Sequence, residues 1–193
     1  MVILFIHGLA SSGQFKTASS LHHLLRPCEV IAPDVPIDPD EALSMLRGIC
    51  DESHPDLIVG HSMGGFWAQK LRGYRKILIN PDFHISRLMR ALRGEVKYLS
   101  ARVDGEVSFT ITDSLCDRYL EIEKTQFEGL DSGEILLTQA MFAEQDELVD
   151  CSAEFELHYP GRGIKYPGTH IPTHPELKKY LLPLLLSDVE SDS

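Results

Sequence analysis

Asp56-Leu57-Ile58-Val59-Gly60-His61-Ser62-Met63-Gly64-Gly65-Phe66-Trp67-Ala68 is the stretch on which the reading of this chain turns. Asp56 to Val59 is an apolar run too short for an ordinary helix, and it predicts a buried strand. Phe66 to Leu71 reads as a helix. Between them lies G-x-S-x-G, in the strand–turn–helix setting that gives this pattern its meaning. Gly60 and Gly64 lack a Cβ, so strand and helix can approach closely while a strained Ser62 is pushed out at the carboxyl edge of a sheet. The plain alternative is a glycine-rich turn with an ordinary surface serine. The strand before and the helix after favour a nucleophile.

Working outward, Val2 to Ile6 is a continuous apolar and β-branched run, as expected of a strand buried on both faces. It stops at the small-residue loop His7-Gly8-Leu9-Ala10-Ser11-Ser12-Gly13. Helical periodicity follows over Phe15 to Leu25, then a short strand over Cys28 to Ala32 and a proline-rich loop through Pro39. Asp40 reads as the N-cap of a helix over Glu41 to Ile49. Lys76 to Asn80 predicts a further strand, closed by Pro81. This alternation predicts a doubly wound, mainly parallel sheet with helices on both faces. Its active site belongs at the carboxyl ends of the strands, where Ser62, the His7-Gly8-Leu9 loop and the Asn80-Pro81 corner all fall.

The alternation breaks over 82–133. That segment predicts an amphipathic piece from His84 to Leu92 and a hairpin over Val96 to Ile111 turning at Asp104-Gly105, then a charged helix over Ser114 to Phe127. It reads equally as a cap inserted above the site and as scaffolding. Glu134 to Phe142 then predicts a strong strand, Cys151 to Tyr159 a short helix, Ile164 to Tyr166 the last strand and Pro175 to Leu186 the closing helix. Residues 1–186 are expected to form one domain and Ser187 to Ser193 a disordered tail.

At 193 residues the chain is long enough for one sizeable core and too short for two domains of ordinary size. Its net charge of −11 and the absence of clustered Lys and Arg argue against a nucleic-acid-binding face. Cys28, Cys50, Cys116 and Cys151 show neither C-x-x-C nor zinc spacing, and the start of the chain does not read as a signal peptide. Reduced, mostly buried cysteines and a cytoplasmic location are therefore expected. No apolar stretch approaches the ~20 residues of a membrane span.

A serine hydroxyl is a poor nucleophile at neutral pH. It needs a base within hydrogen-bond reach and a carboxylate to orient that base. The acids past the strong strand are Glu144, Asp146, Glu147 and Asp150, and pattern alone barely separates them; Asp150 also suits a helix N-cap. For the base, His170 sits in a turn just beyond the last strand, whereas His174 lies among prolines on the rim. Read as H-x₃-H, the pair would suggest a metal site, but Pro172 between them argues against the helix that motif needs. The oxyanion formed at an attacked acyl carbon needs two backbone N–H donors, and Met63 and Leu9 are the expected pair.

Taken together, Leu4-Phe5-Ile6-His7-Gly8, Val59-Gly60-His61-Ser62-Met63-Gly64-Gly65, Ile79-Asn80-Pro81, Gln145-Asp146-Glu147-Leu148-Val149-Asp150 and Tyr166-Pro167-Gly168-Thr169-His170 resemble the α/β-hydrolases. More narrowly, they resemble the small YqiA/YcfP-type esterases, nearly end to end. The resemblance implies a minimal α/β-hydrolase fold lacking the leading antiparallel strands of larger members. It also implies Asp146 as the acid, His170 as the base and a small acyl ester as the substrate, with no metal or organic cofactor. A thioesterase or acyltransferase on the same triad, or a binding module on the same fold, are the alternatives.

Overall fold

The computed structural model describes residues 1–186. The strands are β1 (Val2–Ile6), β2 (Glu29–Ile31), β3 (Leu57–His61), β4 (Lys76–Ile79), β5 (Gly94–Lys97), β6 (Ser108–Ile111), β7 (Thr138–Ala143) and β8 (Gly163–Tyr166). Six of them form one sheet in the order β2-β1-β3-β4-β7-β8, every neighbouring pair parallel; β5 and β6 form a separate antiparallel hairpin. The chain winds from β1 outward to β2, then returns past β1 to β3. Loops leaving the carboxyl ends of β1 and β3 therefore diverge, and a crevice opens between them.

Alternation along the central strands splits the core in two. Leu4, Ile6, Ile58, Leu78, Ala140 and Phe142 face one layer, built from α2 (Pro39–Ser53), α3 (Met63–Lys70), α4 (Ile85–Ala91), α5 (Asp113–Glu123) and α7 (Ser152–His158). Ile3, Phe5, Leu57, Val59, Ile77, Ile79 and Met141 face the other, where α1 (Lys16–Leu24) packs beside the closing helix. That helix starts as α8 (His174–Glu176), passes through a π-helical turn over Leu177–Leu181 and ends as α9 (Leu182–Leu186). Burial on both faces explains why these strands read as unbroken apolar runs.

Three local expectations are corrected. The cap of α2 is Asp38 rather than Asp40: its Oδ1 accepts from the Asp40 and Glu41 amides, and Pro39 takes the first helical position, where a missing N–H costs nothing. The strand expected from Glu134 starts only at Thr138, because residues up to Leu137 form α6 (Ser132–Leu137). Asp131 caps that helix by accepting from the Glu134 amide, and the Glu134 carboxylate turns inward to the buried Lys76 ammonium at 2.7 Å. The hairpin forms, but its strands are short and a broad loop over 98–107 joins them. All four cysteines are unbridged, and three of them are buried. The tail expected over Ser187 to Ser193 lies outside the described residues. Among the described residues, no helix is long and apolar enough to cross a membrane.

Candidate active site

Ser62 lies between β3 and α3 with φ 56° and ψ −121°, a conformation that L-residues avoid. The surroundings impose it. A Cβ on Gly64 would stand 1.9 Å from the Ile6 carbonyl oxygen, and one on Gly60 would stand 2.3 Å from that of Gly64. The turn is thus wedged between β1 and its own helix. Ser62 is pinned at both ends of its residue, its amide donating to the Ile79 carbonyl and its carbonyl accepting from the Asp82 amide. The hydroxyl takes no part in capping α3 and is left free for other partners.

His170 supplies one. Its Nε2 stands 2.9 Å from Ser62 Oγ, and its Nδ1 stands 2.7 Å from Asp146 Oδ2. The other oxygen of Asp146 accepts from the Leu148 and Val149 amides, so the carboxylate is fixed before it meets the imidazole. Burial alone would raise the Asp146 pKa. The His170 hydrogen bond and those two amides outweigh it and hold the carboxyl below the usual range. An ionised carboxylate only accepts, so the His170 proton sits on Nδ1 and a lone pair on Nε2 faces the serine. His170 is largely buried, its side chain 14% exposed.

The other candidates lie elsewhere. His174 opens α8 with its ring 5.5 Å from that of His23. Asp150 accepts from the amide and hydroxyl of Ser152 at the start of α7, and Glu144 and Glu147 are exposed. Among the described residues, no group of three or more His, Cys, Asp or Glu side chains is arranged to hold a metal ion.

Leu9 and Met63 line one narrow apolar cavity of about 10 Å³, barely room for one water, shared with Gly8, Trp67, Tyr98 and Phe109. Gly8 lies against the nucleophile candidate: a Cβ there would be 3.1 Å from Ser62 Cβ. Beneath this loop His7 is buried, and burial brings its pKa down to about 4. Its Nε2 accepts from the Val35 amide, so Nδ1 carries the proton and donates to the Gly8 carbonyl at 2.8 Å. A wider cleft of about 540 Å³, bordered by Lys16, Gln145, Leu148 and Ile171, opens beside His170.

Three further side chains, to which sequence reasoning gave no catalytic part, lie beneath this centre. Asn80, directly after β4, contacts the end of β7 and the loop after β8. His61 donates to the His170 carbonyl; burial, then the neighbouring His170, hold its pKa at about 4. Asp82 is a second buried carboxylate, raised in pKa chiefly by that burial. A strand end followed by proline was the available signal for Asn80 and Asp82. For His61 it was its place directly before Ser62.

Residues 2–160 match the family described as "Uncharacterised protein family (UPF0227)". No curated protein matches. Several solved structures share the architecture. The monoacylglycerol lipase of Paleococcus ferrophilus is 13% identical with a TM-score of 0.67, covering 100% of this chain and 95% of its own. Est1E from Butyrivibrio proteoclasticus, solved with ferulic acid bound, is 16% identical with a TM-score of 0.61 over 95% of this chain and 89% of its own. Mouse alpha/beta hydrolase domain-containing protein 10 is 15% identical with a TM-score of 0.59, over 99% and 89%. The six-stranded parallel sheet and these neighbours establish the α/β-hydrolase fold in a minimal form. The match over residues 2–160 places the chain in the UPF0227 family, the YqiA-type proteins.

Proposed function

We infer that this protein is a serine hydrolase that cleaves carboxylic esters through an acyl-enzyme intermediate. One observation carries the reading: an unbroken hydrogen-bonded line from Asp146 through His170 to Ser62, with donor and acceptor roles set by chemistry at each junction. Ser62 Oγ attacks the acyl carbon while His170 Nε2 takes its proton, and Asp146 stabilises the imidazolium that results. The tetrahedral intermediate collapses, His170 returns the proton to the departing alcohol, and water repeats the sequence to release the acid.

Support for the oxyanion donors comes from backbone geometry. The Gly8 carbonyl is held by His7 Nδ1–H and by the Ser11 amide. In a trans peptide the Leu9 N–H then points the opposite way. Met63 begins α3, where a first-turn N–H has no partner within the helix. Each donor is worth about 3 kcal/mol in the transition state. Three side chains and two amides supply all of this chemistry. The names of the structural neighbours, a monoacylglycerol lipase and an esterase solved with ferulic acid, agree with a small ester as substrate. In this reading the 82–133 insertion acts as a cap, because Tyr98 and Phe109 from the hairpin roof the cavity beside Leu9 and Met63.

Hydrolysis of a p-nitrophenyl ester series of increasing acyl length, wild type beside Ser62→Ala, tests the reading. Turnover by wild type that falls at least about a thousandfold in the variant is the expected outcome. Equal inertness of both proteins across esters and thioesters would contradict it.

A further inference from the structure

The base candidate has no helix or strand of its own. His170 lies in the irregular segment between β8 and α8, and its carbonyl is gripped from below by two side chains. His61 Nε2 stands 2.8 Å from the His170 oxygen, and Asn80 Nδ2 also stands 2.8 Å from it. A carbonyl only accepts, so both nitrogens donate. His61 and Asn80 are each almost wholly buried, His61 as the last residue of β3 and Asn80 directly after the neighbouring β4.

The orientation of Asn80 is determined by its partners. Its Oδ1 accepts from the Ala143 amide at 2.7 Å, which an amide nitrogen could not do. Its two Nδ2 protons go to His170 O and to Tyr166 Oη at 2.9 Å, and the tyrosine hydroxyl passes its own proton on to the Thr169 carbonyl. One carboxamide therefore ties the end of β4 to the end of β7, from which the Asp146 loop departs, and to the loop that carries His170. The backbone φ of Asn80 is 44°, a left-handed value that Asn, Asp and Gly tolerate.

Resting on the ester-hydrolase reading for the reaction itself, we propose that Asn80 and His61 are positioning residues that clamp the His170 backbone and set its ring between Ser62 and Asp146. Asn80 fixes the base relative to the acid strand. His61 fixes it relative to the nucleophile strand. Neither touches substrate. Misplacement of a reacting group by about 1 Å costs roughly 100-fold in rate, so the clamp acts on kcat and leaves substrate affinity alone.

Steady-state kinetics of Asn80→Asp, Asn80→Gly, His61→Ala and His61→Gln on a p-nitrophenyl ester, with thermal melting of each, test the clamp. Both Asn80 variants keep the left-handed backbone accessible. Asp presents oxygen to the His170 carbonyl and the Tyr166 hydroxyl in place of a donor, and Gly removes the side chain altogether. The expected result is a kcat lowered about 100-fold in both, with KM within about threefold of wild type. His61→Ala loses about 10-fold, and His61→Gln, whose amide can still donate, recovers most of it. The downfield proton resonance of His170 Nδ1–H reports the same geometry without turnover, and it shifts or broadens in Asn80→Asp. Retention of both wild-type kcat and that resonance in the folded Asn80 variants would overturn the clamp. A wild type inert on esters whose resonance is still displaced by Asn80→Asp would sustain the clamp and remove the ester reading instead.

Discussion

At the scale of the residue, the centre depends on hydrogen bonds whose direction is fixed by what each partner can do. Asp146 has one oxygen occupied by two amides and the other by His170, so its orientation survives motion of the histidine. Asp146→Asn would favour the wrong imidazole tautomer, and kcat should fall roughly 10⁴-fold with the fold intact, as steady-state kinetics and melting together would show. His7 and His61 are both brought from 6.5 to about 4, chiefly by burial. Between those values the unfolded chain binds a proton at each while the folded chain does not, so stability falls as pH falls through that window. Each histidine contributes a slope of about 1.4 kcal/mol per pH unit. Denaturant titrations from pH 7 to pH 4 should show His61→Gln losing one such slope. Asp82, raised in pKa, acts in the opposite sense in both proteins and cancels from the comparison. Ser62 was legible because glycines at fixed spacing have one steric reason to be there. Asp146 was not separable from its neighbours by pattern, since what distinguishes it is where the amides of Leu148 and Val149 point. Asn80 was visible only as a corner, because its partners lie 63 and 90 residues away.

At the scale of the element, apolar runs located the strands well and misjudged one start. Ile135-Leu136-Leu137 carries the same apolar residues as a strand, yet Asp131 caps a helix there and the Glu134 carboxylate is drawn to Lys76. That pairing joins α6 to the middle of the sheet, and no local periodicity encodes it. The tightest element is the turn from β3 to α3. Gly64→Ala would drive a Cβ to 1.9 Å from the Ile6 carbonyl, against backbone that cannot yield without parting β1 from α3. A loss of about 3 kcal/mol or more is expected, read from the denaturation midpoint, and ester turnover falls with it because the Gly8 loop moves too.

At the scale of the whole molecule, the strand order brings the loops after β1, β3, β4, β7 and β8 to one edge, and the alternation of strands and helices made that edge legible. The relation of the hairpin to it was not. Its loop is fastened to the loops after β1 and β2: Leu99 N–H donates to the Ala10 carbonyl, Ser100 and Ser12 share a hydrogen bond, and Arg102 reaches the Val35 carbonyl. Asp34 alone accepts from both the Gly13 and Val103 amides. All these contacts join residues far apart in sequence. Since Tyr98 and Phe109 line the cavity beside Leu9 and Met63, Asp34→Ala should loosen that wall and raise kcat/KM for long acyl chains relative to acetyl by about tenfold, measured on the same ester series. The central claim is that Ser62 is the nucleophile, and the most direct measurement is intact and peptide mass spectrometry after exposure to a fluorophosphonate. The account predicts one adduct per chain, on Ser62, formed far more slowly in Asp146→Asn. No adduct, or one on any other residue, would contradict it.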